Sequence, residues 1–506
     1  MNTNRPNVIY ILADDMGYGD VSAINEKSAF KTPNLDEMCT NGCVFTDCHA
    51  SSSVCTPSRY SLLTGRYNWR SRLKTFVLGG YSTPLIENDR MTIGHLFKKN
   101  GYKTAAIGKW HLGMDFAKEA DFAEEKGYET SFGVNYSGKI ENSPTSRGFD
   151  YYFGISASLD MPPYSYIEND HFTMVPDHNT EGPDRPKPGS DQSKREVEKT
   201  GKKYWRHGPT SPDFKHEEVL QTITKKALEK IEEYKDGPFF IYFPLTAPHS
   251  PILPSGEFKG RSGTNEYGDF VLMCDDVVGQ VTKKLKEYGI YENTIVIYTA
   301  DNGVSPMANL TELASFGHNP SYIFRGHKAD IYEGGHRIPF IIRWPEKIKP
   351  AGRCDKIVCL SDFMATMADY FGFELEDNMA EDSVSNLPLW MDPEAPGVRN
   401  DVVHHSINGS LSIRKGNFKL EMCPGSGGWS HPIPGEEDEN MPRFQLYDLE
   451  NDIKETTNLI DKYPEVFKEL KDLLKKYILE GRSTPGAAQK NDGAAVWETI
   501  KWIEEE

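Results

Sequence analysis

Residues 217–243 read EEVLQTITKKALEKIEEYKDGPFFIYF. From Glu217 to Tyr234, apolar side chains recur every three or four residues among charged ones, which predicts a long amphipathic helix. Asp236-Gly237-Pro238 then breaks the helix. FFIYF follows, a short apolar run without polar alternation, as in a strand covered on both faces. A helix turning directly into such a strand is half of a crossover unit. The same unit recurs outward in both directions: a strand at Asn7–Ala13, helices at Asn34–Asn41 and Arg90–Asn100 (the latter closed by Gly101), and a strand at Lys103–Ile107. Beyond it come a helix over Asp269–Tyr288, strands at Thr294–Ala300 and Pro339–Trp344, and a helix over Ser361–Phe371. Alternating strands and helices predict an α/β fold, a large, mainly parallel sheet sandwiched by helices. No sequence repeat accompanies the alternation.

Two regions break the rhythm. Residues 164–212 are polar and rich in Pro, Gly and Lys, and are expected to be a long surface insertion. From residue 397 the pattern becomes short alternating strands, LSIRKGNFKLEM and RFQLYDLEND, with a helix over Tyr463–Glu480 and a Gly/Pro-rich tail. This predicts a small C-terminal α+β domain with an antiparallel sheet. The expected division is therefore 1–396 and 397–506, and the acidic Glu436–Glu439 is expected to be a solvated loop.

Composition narrows the function classes. The chain has 506 residues, and 57 Lys plus Arg against 75 Asp plus Glu give a net charge of −18. Nucleic-acid binding needs a basic face to neutralise phosphates, so that class is excluded. With 38% hydrophobic and 11% aromatic residues, the chain can bury a core. No apolar run approaches a membrane span; Val8–Ala13 and Phe239–Phe243 are short. The N-terminal apolar run is too short for a signal-peptide core and lacks a cleavage site, so it reads as a strand. The expected location is cytoplasmic, or periplasmic or secreted if a leader has been removed. Eight cysteines in this length are no disulfide scaffold. Cys39, Cys43, Cys48 and Cys55 cluster without a CxxC pair, which disfavours zinc; Cys39 and Cys43 are expected to pack a helix interior.

Chemistry concentrates at strand ends. Asp14-Asp15 follows the first strand, and adjacent carboxylates are costly unless a cation or donors compensate. Alone, the pair would read as a solvated turn with Asp capping a helix. Asp301-Asn302 follows the strand TIVIYTA, with Gly303 freeing the turn. Three carboxylates and an amide oxygen at equivalent strand ends are hard ligands suited to Ca²⁺ or Mg²⁺. Between them in sequence lies Ser51–Tyr67, SSSVCTPSRYSLLTGRY, which holds Cys55-Thr56-Pro57-Ser58-Arg59 and then Leu62–Arg66, LLTGR.

Here the chain resembles the type I, formylglycine-dependent sulfatases, whose C-x-P-S-R motif directs conversion of its Cys to formylglycine. Further matches run along most of the chain. Ile107–Gly113, IGKWHLG, resembles a second signature of the family, and Pro248-His249 falls where the family keeps a His. Arg325–Lys328 with Glu333–Arg337 resembles the segment carrying an active-site Lys, and Tyr447–Leu459 resembles a C-terminal signature. The resemblance implies an alkaline-phosphatase-like fold and one divalent cation, Ca²⁺ before Mg²⁺, held by Asp14, Asp15, Asp301, Asn302 and modified Cys55. It implies that one hydroxyl of the aldehyde hydrate attacks sulfur to form a covalent sulfo-enzyme, with Arg59 holding that hydroxyl. Lys109 and Lys328 would bind sulfate oxygens. His249 would protonate the leaving oxygen, and His111 would deprotonate the second hydroxyl to expel sulfate. Ser158 matches a serine near the sulfate more weakly. Each of these could singly be an ordinary core histidine or surface lysine; their joint match carries the reading.

The expected partners are a sulfated mono- or oligosaccharide and a formylglycine-generating or anaerobic sulfatase-maturating enzyme. Leu78–Gly94, Ser158–Asp170 and Gly481–Gly486 resemble bacterial carbohydrate sulfatases of the arylsulfatase A-like and N-acetylgalactosamine-6-sulfatase-like group. This implies exo-action on 6-O-sulfated galactose or N-acetylgalactosamine, with the insertion near the site's rim. Asp160, Tyr164, Tyr166 and Asp170 offer carboxylates and rings to a sugar, and His318 and Arg337 are added as substrate contacts. His327 and His336 stand between a supporting and a structural role. The alternatives are a phosphate or phosphonate ester hydrolase of the same superfamily, and an inactive sulfated-glycan-binding protein.

Overall fold

The computed structural model describes residues 5–123, 132–180, 204–436 and 440–505. Ten strands form the main sheet: β1 (Asn7–Ala13), β2 (Cys43–Phe45), β3 (Lys103–Lys109), β4 (Tyr151–Ile155), β5 (Ile167–Glu168), β6 (His171–Phe172), β7 (Phe239–Pro244), β8 (Thr294–Ala300), β9 (Phe340–Arg343) and β10 (Gly352–Cys354). Their order is β10-β2-β9-β8-β1-β7-β3-β4-β5-β6. The five central strands β8, β1, β7, β3 and β4 are mutually parallel. β9 and β5 run antiparallel at either side of them. The expected mixed, mainly parallel sheet is therefore present.

Helices α1 (Pro33–Thr40), α2 (Cys55–Thr64), α3 (Ile93–Lys99), α4 (Val219–Tyr234), α5 (Glu266–Glu287) and α6 (Phe363–Phe371) fall into two packed groups. α1, α4 and α5 form one, and α2, α3 and α6 the other. α4 buries Val219, Leu220, Ile223, Ala227 and Ile231, the stripe its sequence predicts. Every residue of β1 and β7 is buried, as continuous apolar runs require. Aromatic rings lock sheet to helix: Phe97 of α3 stacks on Phe240 of β7 with centroids 4.0 Å apart. α3 starts at Ile93, later than the sequence suggests, because the Thr92 hydroxyl accepts from the His95 N–H and caps it there.

The smaller sheet comprises β11 (Asp401–His405), β12 (Leu411–Lys415), β13 (Phe418–Glu421) and β14 (Gln445–Asp448), all antiparallel, covered by α7 (Pro464–Glu480). β11 was not legible as a strand. The core of this sheet is shared, since Tyr67, Trp69 and Cys359 from the larger unit pack with Val403, Ile413, Leu420 and Leu474. Lys419 of β13 is buried against Glu333, Glu421 and Glu455. An ammonium in such a position is tolerable only because carboxylates surround it.

Some expectations need correction. Cys43 sits in strand β2 rather than in a helix. All eight cysteines are buried and free, and among the described residues no group of three potential metal ligands contains two of them. The insertion does not begin on the surface: Tyr164, Ser165, Tyr166 and Ile167 are buried. The part at 181–203, and Glu437–Glu439 of the acidic stretch, lie outside the described residues. Among the described residues no helix is long and apolar enough to cross a membrane.

Where the two sheets meet, three buried histidines pack together. The His336 and His404 rings lie 3.8 Å apart at 10°, and His49 Nδ1 is 3.0 Å from His336 Nδ1. The His49 ring is tilted by 34° to His336 and by 39° to His404, and one ring nitrogen from each of the three lies within 4.8 Å of the others. Burial, with Lys419 next, holds His336 well below the usual imidazole range; burial, with His336 next, does the same to His404. Burial alone takes His216 and His405 down to about 4. A depressed histidine contributes full stability above its unfolded pKa and loses it as pH falls. Between pH 6.5 and 5 His216 and His405 therefore each withdraw about 2 kcal/mol, and His336 and His404 act in the same direction. Urea midpoints should fall steeply over that window, and a pH-independent midpoint would show that these rings take up protons in the native state as readily as in the unfolded chain.

Candidate active site

Parallel strands all end on the same edge of a sheet, and each of the five central ones delivers polar residues there. β8 leads into Asp301 and Asn302, β1 into Asp14 and Asp15, and β7 through Pro244–Ala247 into His249. β3 ends in Lys109 and continues to His111, and β4 runs on to Ser158 and Asp160. α2 begins at Cys55, so the positive end of its peptide dipoles faces the same cluster. All these side chains are buried.

The contacts are ionic and dense. Lys109 Nζ lies 2.9 and 2.8 Å from the two Asp14 oxygens and donates to Ser158 Oγ at 2.8 Å. Lys328 Nζ donates to Asp15 Oδ2 at 2.7 Å. Arg59 grips Asp301 Oδ2 through Nε and Nη2 at 3.0 and 2.7 Å. Cys55 Sγ stands 3.6 Å from Asp14 Oδ1 and 3.9 Å from Asp15 Oδ1. His249 Nε2 lies 3.2 Å from Ser158 Oγ and 3.6 Å from Asp15 Oδ2. Asp15 and His111 both hold positive φ angles, 64° and 57°, a strained conformation for non-glycine residues that a functional geometry can require.

Electrostatics set the protonation states. Burial would raise Asp14, but Lys109, His249, Arg59 and Lys328 overcome it and hold the carboxyl well below the usual range. Burial pushes the Asp301 carboxyl up, against the pull of Arg59. It also pushes the Cys55 thiol far up, despite Lys109 and Lys328, so the unmodified residue is a thiol at neutral pH and a poor nucleophile. Burial, with Lys109 next, drives His111 well below the usual imidazole range. Its Nε2 lies 2.8 Å from the Leu78 carbonyl, which fixes the proton there. His111 Nδ1 is left buried without a partner, an unprotonated acceptor.

Three carboxylates here face three fixed cations, Arg59, Lys109 and Lys328, so the cluster is neutral before any ion or substrate enters. A divalent cation would leave it at +2, suited to an anionic ester. The donor set fits such an ion. Asn302 Nδ2 donates to Asp15 Oδ1 and to the Gly303 carbonyl, which leaves Asn302 Oδ1 buried and unpaired. Asp14, Asp15, Cys55 and His249 place donor atoms within 4.8 Å of one another. Asp301 is tied to the same group through the Asp15 N–H at 3.2 Å. His249 is the odd member of that group, because its Nε2 already meets Ser158. Carboxylate and amide oxygens are hard ligands, and they favour Ca²⁺ or Mg²⁺ over zinc.

The residues expected to meet substrate divide. Ser158 and Asp160 are in the cluster's wall. Asp160 Oδ2 pairs with Arg206, and its Oδ1 is buried and unpaired. Tyr164 is a structural ring: its hydroxyl donates to the Arg206 carbonyl at 2.6 Å, with the Asp160 carbonyl 3.0 Å away, and it packs on His216. Tyr166 stacks on Phe153, and Asp170 pairs with His171. His318 is removed from the site, paired with Asp20 at 2.8 Å. Asp20 in turn accepts from Tyr267 and the Gly17 N–H, which shores up the turn after Asp15. Arg337 binds Asp47, Glu333 and the Thr46 carbonyl, and the same two carboxylates pair with Arg414 and Lys419 of the smaller sheet. His327 lies 3.2 Å from Ser430 Oγ beside Lys328. Arg206 was missed, since nothing in its polar surroundings distinguishes it; so were the carbonyls of Leu78 and Ser250 that orient His111 and His249.

The profile of the sulfatase family matches residues 6–373. An N-acetylgalactosamine-6-O-sulfatase of Bacteroides thetaiotaomicron is 33% identical over 94% of this chain and 93% of its own length. The N-acetylgalactosamine-6-sulfatase of Mus musculus is 27% identical over 85% of this chain and 74% of its own. A solved Bacteroides thetaiotaomicron structure, described under the metabolism of multiple glycosaminoglycans, superposes with a TM-score of 0.78 at 31% identity. That superposition covers 94% of this chain and 99% of the other.

Proposed function

The chain belongs to the sulfatase family and is a sulfuric ester hydrolase, and from that premise we propose that it removes 6-O-sulfate from galactose or N-acetylgalactosamine at a glycan end. The observation that carries the substrate class is likeness along nearly the whole chain to an N-acetylgalactosamine-6-O-sulfatase. The wall of the site is compatible with a sugar, because the unpaired oxygen of Asp160 can accept from a ring hydroxyl. Phosphate ester hydrolysis and a purely binding role are not favoured.

Each residue of the cluster has a task. A formylglycine hydrate made from Cys55 would supply two hydroxyls on one carbon, one whose oxygen attacks and then carries the sulfate, and a second whose deprotonation would expel that sulfate with C–O cleavage and restore the aldehyde. Asp14, Asp15, Asp301 and Asn302 would hold a divalent cation, which when bound polarises the sulfate and acidifies the attacking hydroxyl. Arg59, pinned by Asp301, keeps a fixed positive charge beside position 55. Lys109 and Lys328 trade their carboxylate partners in part for sulfate oxygens and stabilise the charge that builds in the transition state. His249, with Nε2 3.6 Å from Asp15 Oδ2 and 3.2 Å from Ser158 Oγ, would give a proton to the leaving oxygen. His111 Nδ1 takes the proton of the second hydroxyl. Cys55 is 2% exposed, so the maturating enzyme must reach it before the fold closes.

Two experiments test this reading. A panel of 2-, 3-, 4- and 6-O-sulfated sugars, each as a free sugar and as a chain end, should show turnover concentrated on the 6-O-sulfates. Preference for another ring position overturns the 6-O assignment, and preference for internal sulfates overturns exo-action. Dialysis against EDTA should abolish activity and lower the thermal midpoint, with recovery on adding Ca²⁺ or Mg²⁺. An ion at a hundred times its Kd contributes about 2.7 kcal/mol to stability. Full activity and an unshifted midpoint after chelation would show that no exchangeable ion is used.

A further inference from the structure

The rings that sequence offered to the sugar, Tyr164 and Tyr166, are buried and occupied by the protein itself. Large exposed apolar side chains are few, and two of them, Trp429 at 43% and Phe76 at 52% exposure, stand on loops that hold catalytic groups from outside. The Trp429 loop is clamped to the segment after Lys328. Asp330 Oδ1 accepts from the Trp429 and Ser430 N–H groups at 2.8 and 2.9 Å. Gly428 lies so close that a Cβ there would meet the Ala329 carbonyl oxygen at 2.4 Å. The Phe76 loop is fastened to the same segment. Its N–H donates to the Ile407 carbonyl at 2.7 Å, and the Ile407 N–H donates to that of Ala329 at 3.0 Å. Two residues after Phe76, the Leu78 carbonyl orients His111.

Depth separates these rings from the chemistry. The groups that would hold sulfate, Lys109 and Lys328, are 0% and 7% exposed, and Ser158, His249 and Asp160 are buried as well. Trp429 and Phe76 are exposed instead, on loops tied to the segment that follows Lys328. We propose that Trp429, assisted by Phe76, forms an aromatic platform for the sugar adjoining the sulfated one, so that the C-terminal sheet domain supplies a second subsite. The C–H face of a pyranose is apolar, and the face of an indole covers it without requiring a particular linkage. The proposal rests on the carbohydrate sulfatase reading and extends it from one ring to two.

The experiment compares kcat/KM for a sulfated monosaccharide with that for the same sugar at the non-reducing end of a tetrasaccharide. Wild type, Trp429→Ala, Trp429→Phe, Phe76→Ala and the distant surface variant Leu479→Ala are compared, with an aryl sulfate to monitor maturation and folding. Wild type should favour the tetrasaccharide, and Trp429→Ala should cut that advantage about tenfold, through KM, as expected for the apolar area of one sugar face. Phe76→Ala should cut it less. Trp429→Phe should retain most of it, and Leu479→Ala all of it. No tetrasaccharide advantage in wild type, or an advantage unchanged in Trp429→Ala, overturns the proposal. The ratio is read at whichever ring position is cleaved, so a preference other than 6-O defeats that assignment and leaves the platform standing. Turnover of aryl sulfate with no sulfated sugar cleaved at all defeats both.

Discussion

Replacing Cys55 with alanine is expected to leave a folded protein with no measurable turnover. The side chain lost is small, and its sulfur makes only long contacts of 3.6 and 3.9 Å to Asp14 and Asp15. The stability cost should therefore not exceed about 1 kcal/mol. Activity should fall on the order of a million-fold in kcat, as when other enzymes lose their nucleophile. Protein made without the maturating enzyme should be equally inactive for a different reason. Its Cys55 is a thiol pushed far above its usual pKa by burial, and a sulfated thiol would have no second hydroxyl for elimination. Mass spectrometry of the peptide containing Cys55, set against activity across preparations, checks this directly. Activity should scale with the modified fraction, and wild-type turnover by the alanine variant would falsify the nucleophile assignment.

The second large effect belongs to His111. With its Nε2 proton committed to the Leu78 carbonyl and its pKa driven down by burial and Lys109, this ring is set up as a base and not as an acid. Substituting alanine should slow turnover by about 10² to 10⁴ while leaving the first half of the reaction intact. Rapid mixing with an aryl sulfate should then release about one equivalent of the phenol, followed by a nearly flat steady state. His249→Ala should differ, since losing the proton donor slows the release itself and removes the burst. Equal slowing of burst and steady state in His111→Ala would reassign it to the first half. The strained φ of 57° is borne equally by alanine, so a thermal midpoint near that of wild type separates chemistry from damage.

The sequence readings that held are those with local causes. The apolar runs at Asn7–Ala13 and Thr294–Ala300 are strands over just those residues, because continuous burial on both faces demands an unbroken run. The helix over Val219–Tyr234 is legible because one stripe of it must be apolar. Placements with non-local causes were not legible. His318 and Arg337 read as site residues because they fall near matched segments, yet each is consumed by a carboxylate far away in sequence, Asp20 and Asp47. Tyr164 looked available to a sugar until the carbonyl of Arg206 claimed its hydroxyl.

What the sequence determined by itself is the class of chemistry: a cysteine in C-T-P-S-R, hard ligands immediately after apolar strands, and lysines and histidines in fixed short motifs. These depend on residue identities within a few positions of one another, which a single chain displays openly. Only the tertiary structure decided which strand ends are neighbours. It set β8, β1, β7, β3 and β4 side by side, so that Asp301, Asp14, His249, Lys109 and Ser158 converge across some three hundred residues of chain. It also decided which polar groups remain unpaired once burial has claimed the others, among them Asn302 Oδ1, His111 Nδ1 and Asp160 Oδ1. The physical reason is that strand order and hydrogen-bond satisfaction are properties of the whole sheet. They arise from competition among all buried donors and acceptors at once, and no short window of sequence contains that competition.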